Sequence, residues 1–137
     1  MKLFFLHGLA VLLSVVSTSA NAQQSDESCD VPVDMVILSI VHDVERYEAY
    51  RSSLDELGTL ESFGGRVIAL GTRLVADPVM LEGDWPDDRH AFVIRWPCAA
   101  AAHAFWASES YQKDSLPLRV GAGQFNIALF PAMPGPE

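Results

Sequence analysis

The sequence predicts a single α+β domain with its elements in the order β-α-β-β-α-β. Three observations carry this. Met35 to Val41 is a nearly continuous apolar run of strand length, rich in β-branched residues. Two helical patterns each follow a strand, one opening at Asp43 and one after Pro97. Further extended segments are separated by Gly- and Pro-bearing turns. Two split βαβ units joined by a hairpin make the ferredoxin-like plan, a four-stranded antiparallel sheet with two helices on one face. In that plan the first strand is central, flanked by the third and fourth.

The N-terminal 22 residues stand apart from this domain. Lys2 opens them, Leu3 to Val16 is apolar, and Ala20-Asn21-Ala22 supplies small residues at the positions a signal peptidase reads. The apolar core is shorter than the roughly 20 residues a spanning helix needs, and no cationic cluster flanks it. A cleavable secretory signal over 1–22 is therefore expected, giving a periplasmic or secreted protein with no membrane attachment after cleavage. Cys29 follows Asp-Glu-Ser rather than a lipobox. Residues 23–33 read as a flexible acidic segment, 34–131 as the folded domain and 132–137 as a flexible tail. The formal net charge of −9 disfavours nucleic acid and anionic membrane surfaces as partners.

Each element has its own signal. The first strand runs through Asp34 to His42, apolar on both faces. Asp43 is a good N-cap, and Glu45 suits the first turn of a helix. Val44, Tyr47, Tyr50, Leu54 and Leu57 recur at three- and four-residue steps, with Arg46, Glu48, Arg51, Asp55 and Glu56 on the other side. Gly58 weakens this helix and Gly64-Gly65 ends it. Arg66 to Leu70 reads as the second strand, with a bulge or bend at Gly71. Thr72 to Leu81 continues extended, and Pro78 marks an edge. Residues 82–88 form a turn-rich loop. Arg89 to Trp96 is the third strand, with Phe92, Ile94 and Trp96 on one face, and Pro97 stops it. The second helix spans Cys98 to Ala107, its stripe being Ala101, Ala102, Phe105 and Trp106, and Ser108 to Lys113 adds a short turn. Gln124 to Phe130 is the last strand.

Two consequences follow from the plan. Helices cover one sheet face, yet the first strand is apolar on both, so a second copy is expected to cover the other face in a homodimer. The start of the first strand also lies beside the end of the third. Cys29 precedes the one and Cys98 follows the other, so an intrachain disulfide is expected in an oxidising compartment. The alternative is two unpaired thiols. There is no C-x-x-C redox motif.

Several stretches carry a family likeness: Phe63-Gly64-Gly65-Arg66; Leu81-Glu82-Gly83-Asp84-Trp85, followed by Arg89; Phe105 through Gln112; and Leu118-Arg119. From about Met35 to Leu129 the chain resembles the domain-of-unknown-function 1330 family, a branch of the dimeric α/β-barrel superfamily. The resemblance implies the same fold and the same dimer, and it implies no activity. The chain departs from the pattern in its export signal, at Ser110, and at Cys98, where a serine-like cap is usual.

Few residues carry recognisable chemistry. No nucleophile elbow, phosphate loop or metalloprotease helix is present. His42, His90 and His103 have no metal-ligand spacing, and no residue demands a cofactor. His90 and His103 read as surface or half-buried residues. His42 ends the central strand beside the expected cleft, as a ligand or proton-transfer group or as a local hydrogen bonder. Glu82, Asp84, Asp87 and Asp88 lack EF-hand spacing and read as a solvated turn. Trp85 packs across a dimer interface, covers a pocket or closes its own turn. Arg66, Arg89 and Arg119 pair a loop acid such as Asp84, or bind a carboxylate-bearing molecule. Tyr111 donates a hydrogen bond in the same cleft or packs under the second helix.

Two readings remain. One is a small-molecule site between helices and sheet, surrounded by His42, Trp85, Arg89, Tyr111 and Arg119, with His42 as the acid or base. Superfamily monooxygenases and isomerases support it by analogy. The other is a non-catalytic periplasmic module for dimerisation or partner binding.

Overall fold

The computed structural model describes residues 29–72 and 77–133. The expected signal segment, part of the expected second-strand extension and the end of the tail lie outside these. The described chain folds as β1 (Val33–Val41), α1 (Val44–Glu56), α2 (Thr59–Ser62), β2 (Arg66–Gly71), β3 (Arg89–Trp96), α3 (Ala99–Ala107), a π-helical segment (Ser110–Ser115), α4 (Leu116–Arg119) and β4 (Gly123–Pro131). The strands form one antiparallel sheet in the order β2-β3-β1-β4, with β1 and β3 at its centre. This is the ferredoxin-like plan, as the sequence predicts.

Strand alternation divides β1 between two faces. Val33, Met35, Ile37, Ser39 and Val41 point to the helices; Asp34, Val36, Leu38 and Ile40 point away. The core lies on the helix side, where Val33, Met35, Leu60, Ile94, Trp96, Ala102, Phe105 and Tyr111 form one buried cluster. The Phe105 ring sits 4.9 Å from Trp96 and 4.6 Å from Tyr111, centroid to centroid. Gly65 makes room for this packing, since a Cβ there would lie 2.6 Å from the Trp96 ring.

α1 starts where the sequence places it. The Asp43 carboxylate accepts the Arg46 backbone N–H at 3.0 Å, satisfying one free donor of the first turn. Its apolar stripe is narrower than the pattern suggests, because Val44 and Leu57 each stay 48% exposed. The helix stops at Glu56. Gly58, at φ 55°, turns the chain into the separate short helix α2, which the periodicity had merged with α1.

Two other expectations need correction. The β2 irregularity falls between Val67 and Ala69, not at Gly71. The strand ends at Gly71, and Asp77 to Met80 are not strand; Pro78 has no N–H to give a ladder. After α3 the chain does not make a short turn but a π-helical segment running into α4. Pro117, near the start of α4, cannot donate to a carbonyl one turn back and its ring crowds that carbonyl. A widened turn before it relieves the clash.

Cys98 occupies the N-cap position of α3 without capping it through its side chain. Its sulfur is bonded to the Cys29 sulfur, with the Cα atoms 5.0 Å apart and a sequence separation of 69. The expected disulfide thus fastens the N-terminal segment to the head of α3.

Candidate functional site

The helices do not close completely on the sheet. A cavity of about 250 Å³ remains between them. Met35 and Ile37 of β1 and Phe92 and Ile94 of β3 form its floor. Tyr47, Tyr50 and Leu54 of α1 cross above it, since three- and four-residue steps put them on one helix face. Phe105 and Trp106 of α3 and Tyr111 of the π-helical segment also line it. Arg51 and Asp55, one and two turns beyond Tyr47, bring charge to its border. The sequence pattern had assigned these two residues to the outer side of the helix.

The polar groups gather in two places. At one, Arg119 brings its positive charge beside Tyr50 and Tyr111. The Arg119 guanidinium lies 5.0 Å from the Phe125 ring, 5.4 Å from Trp106 and 5.7 Å from Tyr50, measured to the centroids. Three ring faces therefore hold this cation. Burial, the largest influence, pushes the phenols of Tyr50 and Tyr111 above the usual tyrosine range despite Arg119. Both stay protonated at physiological pH.

At the other place, the Tyr47 ring sits 5.3 Å from the His90 ring. His90 is only 3% exposed and its Nδ1 lies 2.6 Å from Thr72 Oγ1. This overturns its reading as a surface or half-buried residue. Burial first, then the positive charge of Arg51, lowers its pKa and favours the neutral imidazole. Burial also shifts the Tyr47 phenol, raising its pKa, and here Arg51 acts in the opposite direction.

The sequence-predicted site residues are divided by the sheet. Tyr111 lines the cavity and Arg119 touches Tyr50 and Trp106 of its wall. Trp85 and Arg89 instead border a second hollow of about 270 Å³, together with Leu38, Ile40 and Asn126. Leu38, Ile40 and Asn126 belong to the face turned away from the helices. There the Trp85 indole N–H donates to the Arg89 carbonyl at 3.0 Å, closing its own turn. His42 is exposed outside the cavity, its backbone N–H donating to the Ala122 carbonyl at 2.9 Å. Among the described residues no group of three acidic, histidine or cysteine side chains could hold a metal ion.

Sequence reasoning missed Tyr47, Tyr50, Arg51, Asp55 and His90 as site residues. Signals for three of them were present. Tyr47 and Tyr50 lie on the predicted apolar stripe, and His90 shares strand parity with Phe92, Ile94 and Trp96.

Residues 35–133 match the family model described as domain of unknown function (DUF1330). Among solved structures, the chain is similar to a protein of unknown function from Rhodopseudomonas palustris: 20% identity, 77% of this chain and 85% of that chain covered, TM-score 0.60. It is similar to SnoaB, a cofactor-independent oxygenase from Streptomyces nogalater: 15% identity, 77% and 96% covered, TM-score 0.52. It is also similar to a conserved protein of unknown function, possible oxidoreductase, from Bacteroides thetaiotaomicron: 13% identity, 75% and 99% covered, TM-score 0.51. Likeness at these identities is likeness of fold. No curated protein matches the chain.

Proposed function

The chain belongs to the DUF1330 family of domains of unknown function, and on that premise we propose that it binds a small, largely apolar molecule in the cleft between its helices and sheet. The cavity carries this reading. It is a cleft of about 250 Å³ that opens past Leu70, which is 41% exposed, so a small molecule has both room and a way in. Its walls are mostly apolar and aromatic, with a few convergent polar groups, which is the usual make-up of small-molecule sites. SnoaB is an oxygenase on the same fold, but fold alone assigns no reaction to this cleft.

The binding unit is proposed to be an exported homodimer. The sheet face away from the helices exposes Leu38 at 50% and Phe130 at 53%, beside Val36, Ile40, Val93 and Ala128. A second sheet packed on it would cover this apolar surface. The Cys29–Cys98 disulfide supports an oxidising compartment. No helix among the described residues is long and apolar enough to cross a membrane. This open face is also what favours the second reading, a non-catalytic dimerisation module.

A cavity-filling substitution tests the binding proposal. Leu70 borders the cavity and is 41% exposed, so Leu70→Trp adds bulk there at little cost to the core. Intrinsic tryptophan fluorescence would be titrated with one-ring and two-ring aromatic compounds. Saturable binding by the wild type, lost in the folded Leu70→Trp protein, is the expected result. Binding unchanged by the substitution, or none at all, would favour the dimerisation module.

A further inference from the structure

The polar end of the cleft gathers hydrogen-bond donors and a positive charge. Tyr50 and Tyr111 line the cavity, and the Arg119 guanidinium lies 5.7 Å from the Tyr50 ring centroid and 5.4 Å from that of Trp106, another wall residue. A guanidinium has only donors, and each phenol has one donor and an accepting oxygen. Burial holds both phenols in the protonated state, so each keeps an O–H to donate at neutral pH, with a positive charge close by.

The walls restrict the rest of the ligand. Tyr47, Phe92, Phe105 and Trp106 put ring surfaces around the space, and rings stack or meet edge to face with other rings. A cavity of about 150 Å³ takes one benzene ring. The cleft, at about 250 Å³, has room for two fused rings.

On the reading that this cleft is a ligand site, we propose that its ligand is a flat molecule of about two fused rings bearing a carboxylate, with the carboxylate oxygens on the Tyr50 and Tyr111 hydroxyls and the Arg119 charge behind them. A carboxylate is acceptor-only and matches the two phenol O–H donors and the nearby cation. It also gains from charge-assisted donors. The whole-chain charge of −9 opposes anions, so a carboxylate preference would have to come from these residues. Asp55, at the cavity border, is the one acidic side chain lining it, and Arg51 lines it alongside.

The test compares three probes of one frame on the full, folded chain at pH 7: naphthalene-2-carboxylate, 2-methylnaphthalene and 2-naphthylmethylammonium. Affinities come from tryptophan fluorescence and calorimetry. The carboxylate is expected to bind about tenfold or more tighter than the ammonium. Arg119→Gln should reduce that ratio to below about threefold, and Tyr50→Phe should weaken the carboxylate but not 2-methylnaphthalene. Equal binding of all three by the wild type would overturn the ligand class while leaving the cleft a ligand site. Binding of none of them would overturn both. The wild-type comparison needs no variant to fold.

Discussion

The two faces of the sheet are made by alternate residues of the same strands, yet they present different surfaces. Toward the helices, β1 and β3 supply Met35, Ile37, Phe92, Ile94 and Trp96, and α1, α3 and the π-helical segment bring further rings down onto them. Away from the helices, the same strands supply Val36, Leu38, Ile40, Ala91 and Val93, with Ala128 and Phe130 from β4. Large rings meeting at angles leave a bounded space. Small aliphatics in register leave a broad surface suited to another sheet. One strand, apolar on both sides, thus serves two purposes, and a residue's parity decides which purpose it serves.

The largest expected effect tests that division of stability directly. Phe105→Ala removes a buried ring and should cost about 3–5 kcal/mol. Phe130→Ala on the open face should cost less than about 1 kcal/mol in dilute solution. Chemical denaturation of both variants measures the difference, and equal losses would break the comparison. Replacing Cys29 and Cys98 together with Ser should cost about 2–4 kcal/mol by releasing a loop of 69 residues, read as a fall in the melting temperature.

Leu38→Glu puts a charge in the middle of the open face. It should weaken self-association roughly a hundredfold by sedimentation while leaving aromatic-probe affinity in the cleft unchanged. Loss of both together would mean that the faces are not independent.

Two smaller effects depend on pH. His90 has a folded-state pKa below its ordinary 6.5. As pH falls below 6.5 the unfolded chain takes up a proton that the folded chain refuses, so stability declines until the folded pKa is passed. The folded His90→Gln protein should lack this slope in urea titrations. On the open face, Asp34 and Arg95 form a two-point ion pair, with both N···O distances 2.9 Å. The hydrogen bond from Arg95 is the main cause that lowers the Asp34 pKa below 3.8. Its contribution is present above pH 3.8 and lost as pH falls through the folded value. Asp34→Asn should therefore cost less than about 1 kcal/mol at neutral pH, with wild type and variant converging in acid.

Much of the architecture was legible because it rests on local patterns. The β-branched run of β1, the Asp43 cap and the Pro97 stop each carry a short-range signal. The disulfide was expected from strand adjacency together with an oxidising compartment, and Cys29 and Cys98 are bonded. The π-helical segment was not legible, because its form depends on how Tyr111 and Ser115 bury themselves ahead of Pro117. The site was legible in part. Tyr111 and Arg119 were named, but Arg89 was grouped with them although its parity, opposite to Phe92, Ile94 and Trp96, already put it on the other face, where it pairs with Ile40. Trp85 stands in a loop, where periodicity gives no direction. Arg51 and Asp55 look solvent-facing by type, and only the open cleft beside α1 gives them a second role.

The central claim is that the two faces hold two different occupants. Hydrogen exchange read by mass spectrometry tests it in one experiment, by varying protein concentration and naphthalene-2-carboxylate separately. The account requires two footprints: the probe should slow exchange in α1 and in 110–119, and concentration should slow exchange along β1 and β4. Those segments carry the cavity wall and the open face respectively. A probe footprint on the strands of the open face, or none on α1, would contradict it.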